Sequence, residues 1–390
     1  MLRFISDNVR KLSSSGIREF FDIAVTMKNE NMISLGVGEP DFETPWHIRE
    51  AAIASLEKGI TSYTSNTGMF ELKVAISKYL ENRFNTHYNP ENQVIVTVGA
   101  SEGIDIALRA IINPGDEILV VEPSYVSYKP CIAMSGGIPV PIVTKNENAF
   151  RLMPEELENA ITPKTKALIL PYPNNPTGGI MEHDDLAAIS SIIIKHDLLV
   201  LSDEIYAELT YGKKHVSIAS LPGMYERTIV LNGFSKAFAM TGWRIGYTAG
   251  PEELIFNMTK IHQYVIMCAP TPSQFAGIEA LSSEEMDEDI AIMKDAYDER
   301  RRLMVKEFRL MGLDCFEPEG AFYVFPSIQK TGMNSKDFCT NLLYDQKVAV
   351  VPGTAFGESG EGFVRCSYAY SIGDIEEALK RIEKFTRKYI

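Results

Sequence analysis

Two positions in the 390-residue chain combine a reactive side chain with an apolar run shortly before it. Lys236 follows the run 228–231, and a lysine at the end of an apolar strand can have a lowered pKa and act as a nucleophilic amine. Asp203 follows the run 198–202, where a buried carboxylate needs a cation or a proton. Each residue alone also fits a structural interpretation, because lone lysines are usually solvated and aspartate is favoured as a helix N-cap.

Several groups that could bind anions form a second set. The segment 99–103 opens a predicted helix, and its small residues leave backbone N–H groups free to face a phosphate. Arg244 could clamp a phosphate or a carboxylate. Arg365 lies inside an apolar segment, so it needs an anionic ligand or an internal salt bridge. Asn175 lies in a turn rich in proline, asparagine and glycine, and its amide could donate to a ligand oxygen.

The segment 99–103 also reads G-x-S-x-G, the pattern of the nucleophile elbow in α/β-hydrolases. A serine hydrolase would use Ser101 with an acid and a histidine, for which Asp203 with His215 or His262 are the candidates. That alternative leaves the lysine and both arginines without a role. The complete set matches pyridoxal phosphate better, because that cofactor needs a lysine imine, an acid at its ring nitrogen and a phosphate site.

The elements that must position these residues are those of an α/β protein. Apolar stretches rich in β-branched residues predict buried strands at 93–98, 117–121, 166–170, 198–202 and 228–231. Amphipathic stretches between them, such as 101–112 and 184–196, predict helices. This alternation predicts a mainly parallel sheet covered on both faces. Ligands bind beyond the carboxyl ends of such strands, where the candidate residues lie.

After about residue 285 the pattern changes to α+β. A charged helix is predicted over 284–311, followed by short strands and a closing helix with Asp374 as its N-cap. We expect an N-terminal segment, 1–45, to join a smaller C-terminal domain, 286–390. The large domain, 46–285, lies between them in sequence, so the small domain is built from both chain ends.

Composition excludes several classes of protein. The net charge of −14 argues against a nucleic-acid partner, which normally requires a basic surface. The five cysteines contain no C-x-x-C pair, so neither a disulfide framework nor a cysteine-based metal site is predicted. No signal-peptide pattern follows the N-terminus and no stretch is apolar enough to span a membrane. We expect a cytoplasmic protein without a membrane partner and without a bound metal.

The motifs resemble those of fold-type I, class I/II pyridoxal-phosphate-dependent aminotransferases. They are N-P-T-G at 175–178, S-D-E-I-Y at 202–206, S-K at 235–236 and T-G-W-R-I-G at 241–246. Further matches at 36–42, 63–64 and 364–365 extend the likeness over nearly the whole chain, in the order of the family. The segments 15–18 and 320–323 resemble the bacterial aspartate/aromatic branch, and the chain also resembles the N-acetyl-diaminopimelate aminotransferase group.

The resemblance implies roles at the centre of the site. Lys236 would form the internal aldimine and then carry the proton between the substrate Cα and the cofactor. Asp203 would pair with the pyridine nitrogen. Tyr206 and Asn175 would hydrogen-bond the phenolic oxygen, and Tyr125 would stack on the ring. These roles make Lys236, Asp203 and Tyr206 the implied catalytic residues.

The resemblance also implies a phosphate site formed by the backbone at Ala100 and Ser101 together with Arg244. Many members of the family carry a phosphate-binding serine three residues before the lysine, and here that position is Gly233. Ser235 is the candidate that would replace it.

The implied substrates are an L-amino acid and a 2-oxo acid, with 2-oxoglutarate as the expected acceptor. Arg365 would bind the α-carboxylate with help from Asn175 and the backbone near Gly38, and Ile17 would line the pocket. Tyr63 would reach the phosphate of a neighbouring subunit, which implies a homodimer with shared sites. Aspartate, aromatic and N-acetyl-diaminopimelate donors stay open, and a C–S lyase of the same fold is the alternative.

Overall fold

The structure is a computed structural model that describes residues 2–10, 12, 16 and 31–390. Its strands, in chain order, are β1 (Ile33–Ser34), β2 (Val94–Thr97), β3 (Glu117–Glu122), β4 (Ile138–Val143), β5 (Thr165–Leu170), β6 (Leu199–Asp203), β7 (Thr228–Gly233), β8 (Gly246–Ala249), β9 (Tyr323–Val324), β10 (Val348–Ala349), β11 (Val351–Pro352) and β12 (Val364–Ser367).

The helices of the described residues alternate with these strands through the first two thirds of the chain. They are α1 (Asp7–Arg10), α2 (Trp46–Glu57), α3 (Phe70–Phe84), α4 (Gly99–Ile111), α5 (Tyr128–Met134), α6 (Pro154–Ala160), α7 (His183–Lys195), α8 (Glu252–Val265), α9 (Thr271–Ser282), α10 (Met286–Leu310), α11 (Ser335–Gln346) and α12 (Ile372–Thr386).

A seven-stranded sheet with the order β2-β8-β7-β6-β5-β3-β4 forms the centre of the protein. The strands from β7 to β4 are parallel, and β8 runs antiparallel to both β2 and β7. Helices cover both faces, which is why strands such as β5 and β6 are apolar on both sides. The predicted α/β class with a mainly parallel sheet is confirmed. β4 is not among the strands predicted from the sequence, and its Pro139 and Pro141 are tolerated because it is an edge strand.

The second, smaller part of the fold combines the two ends of the chain. β12 pairs antiparallel with β11 and β9, and β1 from the N-terminal side pairs parallel with β10. Leu35 is buried in one core with Phe308, Phe338 and Leu379 from the C-terminal helices. The predicted assembly of the small domain from both chain ends is therefore confirmed, while the bounds at 45 and 285 stay a prediction.

The predicted cap of the closing helix is wrong by three residues. Ser371 is the N-cap of α12, and its Oγ accepts a hydrogen bond from the Asp374 backbone N–H. Both residue types are good caps, so composition alone could not separate them.

Among the residues that the structure describes, no helix is long and apolar enough to cross a bilayer. The same residues contain no group of three or more His, Cys, Asp or Glu side chains arranged to hold a metal ion. The five cysteines are free thiols.

Candidate active site

One cavity of about 900 Å³ lies at the carboxyl ends of β5, β6 and β7. The loops after these strands carry side chains into it because parallel strands end at the same edge of a sheet. The cavity is lined by these candidate residues: Gly38, Ala100, Ser101, Tyr125, Asn175, Asp203, Tyr206, Ser235, Lys236, Arg244 and Arg365. The sequence motifs therefore converge on one place in the fold.

Asp203 is the last residue of β6 and is 5% exposed. Its carboxylate accepts hydrogen bonds from the Tyr128 hydroxyl at 2.7 Å and from the Ile205 backbone N–H at 3.3 Å. Among the described residues it forms no ion pair. Burial raises the pKa of Asp203 to about 6, since desolvation disfavours the charged form and these hydrogen bonds only partly offset it. A cationic N–H placed beside this carboxylate would keep it ionised.

Lys236 lies in the turn after β7, and its Nζ donates a hydrogen bond to Gly38 O at 2.7 Å. The rings of Tyr206 and Phe322 lie 5.8 and 5.6 Å from Nζ. Burial lowers the pKa of Lys236 to about 8, because the neutral amine is less costly to desolvate than the ammonium. The amine is therefore available near neutral pH as a nucleophile or proton acceptor.

The start of α4 and Arg244 meet at one end of the cavity. A Cβ on Gly99 would lie 2.6 Å from Arg244 Nη2, so the guanidinium packs against the first residue of the helix. A Cβ on Gly246 would lie 2.6 Å from the backbone nitrogen of Ala100, so glycine there lets β8 approach the helix start. Ala100 and Ser101 line the cavity next to the guanidinium. Backbone N–H groups, a helix dipole and a guanidinium together suit a phosphate.

Arg365, on β12, is 2% exposed. Its Nη1 donates to Asn175 Oδ1 at 2.9 Å, its Nη2 donates to Gly36 O at 2.5 Å, and its guanidinium packs over the rings of Tyr323 and Phe356. Within the described part of the chain its Nε has no hydrogen-bond partner, and no carboxylate there pairs with the guanidinium. The internal salt bridge considered from the sequence is thus absent from the described residues. A buried guanidinium in this state can bind a carboxylate.

Two tyrosines that the sequence analysis did not assign reach side chains of the site. Tyr128, at the start of α5, donates to Asp203, and the Tyr323 hydroxyl lies 2.8 Å from the Tyr206 hydroxyl. These contacts join residues 75 and 117 positions apart, so no local pattern could predict them. Two sequence features could have drawn attention to these tyrosines as site residues: Tyr128 follows Tyr125 by three residues, and Tyr323 ends the segment 320–323.

Gly233 stands where many members of the family carry a phosphate-binding serine, and close packing of the backbone explains why this chain has glycine there. A Cβ on Gly233 would lie 3.0 Å from Gly246 Cα, in the pairing of β7 with β8. Ser235 lines the cavity two residues later. Of the two adjacent asparagines, Asn174 does not face the cavity, because its Oδ1 accepts hydrogen bonds from the backbone and hydroxyl of Thr177.

The histidines required by the serine-hydrolase alternative lie elsewhere. His215 Nε2 is 3.1 Å from Glu204 Oε2, and His262 Nδ1 is 2.6 Å from Glu102 Oε1. Neither histidine lines the cavity that Ser101 lines. The described residues therefore offer Ser101 no histidine partner there.

Two other candidates are not part of the main cavity. Tyr63 is 79% exposed and lines a separate surface cavity of about 400 Å³ with Phe70 and Phe275. Ile17 lies outside the described residues.

The donor set of the main cavity fits pyridoxal phosphate. Among the residues that the structure describes, Asp203 has no cationic partner, which a protonated ring nitrogen would supply. Lys236 offers an amine of lowered pKa for an aldehyde, and the start of α4 with Arg244 offers a phosphate site. Arg365 stays free to bind a substrate carboxylate. Fold and site together define an enzyme of the pyridoxal-phosphate type.

The chain belongs to the aminotransferase class I and II family, whose model matches residues 30–382. It is 52% identical to the Bacillus subtilis protein named "Putative aminotransferase YugH", with 100% of each chain covered. It is 46% identical to an aspartate aminotransferase of Pyrococcus abyssi, with 98% of each covered. The solved aromatic aminotransferase from Pyrococcus horikoshii OT3 is 42% identical, with a TM-score of 0.93, and 98% of this chain and 99% of that chain are covered.

These comparisons confirm the resemblance stated from the motifs. The chain is a pyridoxal-phosphate-dependent aminotransferase of class I/II. They do not decide the donor, since aspartate and aromatic enzymes appear at similar identity.

The unpaired carboxylate leads to a prediction about the cofactor-free protein. The pKa of Asp203 is raised from 3.8 to about 6, so between these values the folded state binds more protons than the unfolded state. Stability from this group therefore falls as the pH rises from about 4 to about 6 and stays low above that. Cofactor-free Asp203→Asn should then exceed cofactor-free wild type in free energy of unfolding at pH 7.5 by roughly 2–3 kcal/mol.

Urea unfolding at pH 7.5 and pH 4 measures this difference, which should nearly vanish at the lower pH. The asparagine amide can still hydrogen-bond Tyr128, so a loss of that contact is not the expected cause. A wild type more stable than the variant at pH 7.5 would show that the carboxylate already has a stabilising partner.

Proposed function

We propose that this enzyme moves an amino group from an L-amino acid to a 2-oxo acid with Lys236 as its attachment and proton-transfer residue. The observation that carries the proposal is the position of the Lys236 amine, whose pKa is lowered to about 8, in one cavity with a buried carboxylate and a buried guanidinium. When bound, pyridoxal phosphate supplies an aldehyde for amines and a ring that withdraws electrons from the substrate Cα.

Lys236 has two tasks in this proposal. Its neutral amine would hold the cofactor until a substrate amine took that place, and the released amine would then accept the proton of the substrate Cα and donate a proton on the cofactor side. A pKa of about 8 suits both tasks, because a base works best when its pKa lies near the working pH. Gly38 O accepts a hydrogen bond from Lys236 Nζ, and the same carbonyl oxygen can hold the amine after a substrate amine has displaced it.

Asp203, Tyr206, Asn175 and Tyr125 are proposed to hold the ring. Asp203 keeps the ring nitrogen protonated, supported in its orientation by the Tyr128 hydroxyl. Tyr206 and Asn175 are assigned to the phenolic oxygen, and Tyr125 to the ring face. Each of the four side chains lines the cavity.

The remaining groups are assigned to the two anions that enter the site. Backbone N–H groups of Ala100 and Ser101, with Arg244 and Ser235, bind the phosphate. Arg365 binds the substrate α-carboxylate, assisted by Asn175 and the backbone near Gly38. The unpartnered Nε of the buried Arg365 guanidinium supports this assignment.

We propose 2-oxoglutarate as the acceptor and an aromatic, aspartate or N-acetyl-diaminopimelate donor. A panel of these donors against 2-oxoglutarate measures the transfer as glutamate formed. If every donor fails while cystathionine releases pyruvate, the enzyme is a C–S lyase instead.

Removing the amine tests the proposal at its centre. Lys236→Ala should lose the visible absorbance of the lysine-bound cofactor, and transfer should fall by about 10⁴-fold or more, because nucleophile and base are removed together. Lys213→Ala is the matched control, since that lysine pairs with Glu182 and Glu319 outside the cavity. Unchanged absorbance in Lys236→Ala would assign the cofactor to another residue.

We further propose that two copies of the chain form a dimer in which Tyr63 enters the partner's phosphate site. Tyr63 is highly exposed, and an apolar surface lies at the end of α8, where Tyr264 is 87% exposed and Val265 also projects into solvent. The Asn66 side chain donates to Met267 O at 2.8 Å, so the loop of Tyr63 and this apolar surface are joined. Contiguous exposed apolar groups of this kind are typical of interaction sites.

Mixing two inactive variants distinguishes shared from separate sites. Tyr63→Asp places a carboxylate against the phosphate, and Lys236→Ala removes the amine. In a hybrid dimer with shared sites, one site carries both defects and the other carries none, so random mixing should restore about a quarter of wild-type activity. If Tyr63 acts within its own subunit, each site keeps one defect and no activity returns.

A further inference from the structure

Tyr323 lies between Tyr206 and Arg365 in the site, and the sequence motifs assign it no role. It is the first residue of β9 and is 1% exposed. Its hydroxyl is 2.8 Å from the Tyr206 hydroxyl, and its ring centroid is 4.4 Å from the Arg365 guanidinium carbon. We propose that Tyr323 is a positioning residue that links the carboxylate-binding Arg365 to the cofactor-binding Tyr206. This inference rests on the roles given to those two residues above.

The hydroxyl of Tyr323 occupies a place that the backbone leaves open for it. A Cβ on Gly38 would overlap the Tyr323 hydroxyl oxygen, so only glycine at 38 allows the hydroxyl to lie there. Gly38 O is also the acceptor for the Lys236 amine. The Tyr323 hydroxyl is thus packed against Gly38, whose carbonyl oxygen the Lys236 amine contacts. Its hydrogen bond with Tyr206 is therefore formed in a buried, closely packed place.

The pair of phenols has one hydrogen bond between them and two protons. Burial raises the pKa of Tyr206 and of Tyr323, so both stay protonated near neutral pH. If Tyr323 donates to Tyr206, the proton of Tyr206 is free for the phenolic oxygen of the cofactor. A phenol that accepts a hydrogen bond is also a stronger donor, because hydrogen bonds in a chain polarise one another. In that arrangement Tyr323 orients Tyr206 toward the cofactor and strengthens its hydrogen bond.

The ring of Tyr323 has a separate effect on Arg365. The Arg365 guanidinium donates along its edge to Asn175 Oδ1 and Gly36 O, and it packs over the rings of Tyr323 and Phe356. An aromatic face holds a guanidinium by electrostatic attraction and fixes its plane. The plane decides where the unpartnered Nε points, and hence how the substrate carboxylate is bound.

These two effects use different atoms, so two substitutions in the holoenzyme separate them. Tyr323→Phe removes the hydroxyl and keeps the ring. Tyr323→Leu removes both. Tyr211→Phe is the matched control, because the Tyr211 hydroxyl is also buried and donates to Ala321 O, but the residue does not line the cavity.

Two readouts are needed: the pH midpoint of the cofactor's visible absorbance, and KM and kcat for the donor. A hydrogen bond donated to the cofactor oxygen stabilises its deprotonated form, so weakening it raises the midpoint. Tyr323→Phe should raise the midpoint by about half a unit, or roughly threefold in proton affinity, with KM almost unchanged. Tyr323→Leu should also raise KM for the donor, by about tenfold. Tyr211→Phe should change neither quantity.

A midpoint in Tyr323→Phe that equals that of wild type and Tyr211→Phe would overturn the link to Tyr206. A Tyr323→Leu enzyme with reduced kcat but unchanged KM would overturn the link to Arg365. If Tyr323→Leu does not fold, the Tyr323→Phe titration still decides the first link. Failure of the proposed function itself is distinguishable, because wild type would then show no transfer, with the absorbance kept if the enzyme is a lyase and missing if Lys236 holds no cofactor.

Discussion

The site depends on two buried charges that the described part of the chain leaves without an ionic partner. Asp203 is an anion held by a phenol and a backbone N–H, and Arg365 is a cation held by an amide oxygen and a carbonyl oxygen. Hydrogen bonds to neutral groups reduce the cost of burying a charge but do not remove it. Each charge is therefore disposed to bind an ion of opposite sign from outside the chain, and we propose that the cofactor and the substrate bring one each.

The fold explains how two such charges can stand in one cavity without pairing with each other. Asp203 ends a strand of the large sheet, whereas Arg365 lies on a strand of the small antiparallel sheet. The strands of the two sheets contribute to different cores, and the Lys236 amine lies in the cavity that Asp203 and Arg365 both line. Burial also lowers the pKa of Lys236, so the apolar surroundings that make the two charges costly are the same ones that supply a reactive amine.

A site residue could be predicted from the sequence where the pattern of residues just before it in the chain indicates its position in the fold. Strands buried on both faces are continuous apolar runs, and Asp203 and Lys236 follow such runs at the edge where ligands bind. Tyr128 and Tyr323 could not be found in this way, since their partners are distant in sequence and only the packing of separate elements brings them together. Similarly, only the structure distinguishes Asn175, which contacts Arg365, from Asn174, which stabilises its own turn.

We propose that Asp203 keeps a proton on the ring nitrogen of the bound cofactor. The most direct measurement is the ¹⁵N chemical shift of cofactor labelled at that nitrogen, recorded in the wild-type enzyme across neutral pH. We expect the shift of a protonated nitrogen that does not titrate between pH 6 and pH 8.5, since the carboxylate and the ring cation stabilise each other. An unprotonated nitrogen at pH 7.5 would contradict it.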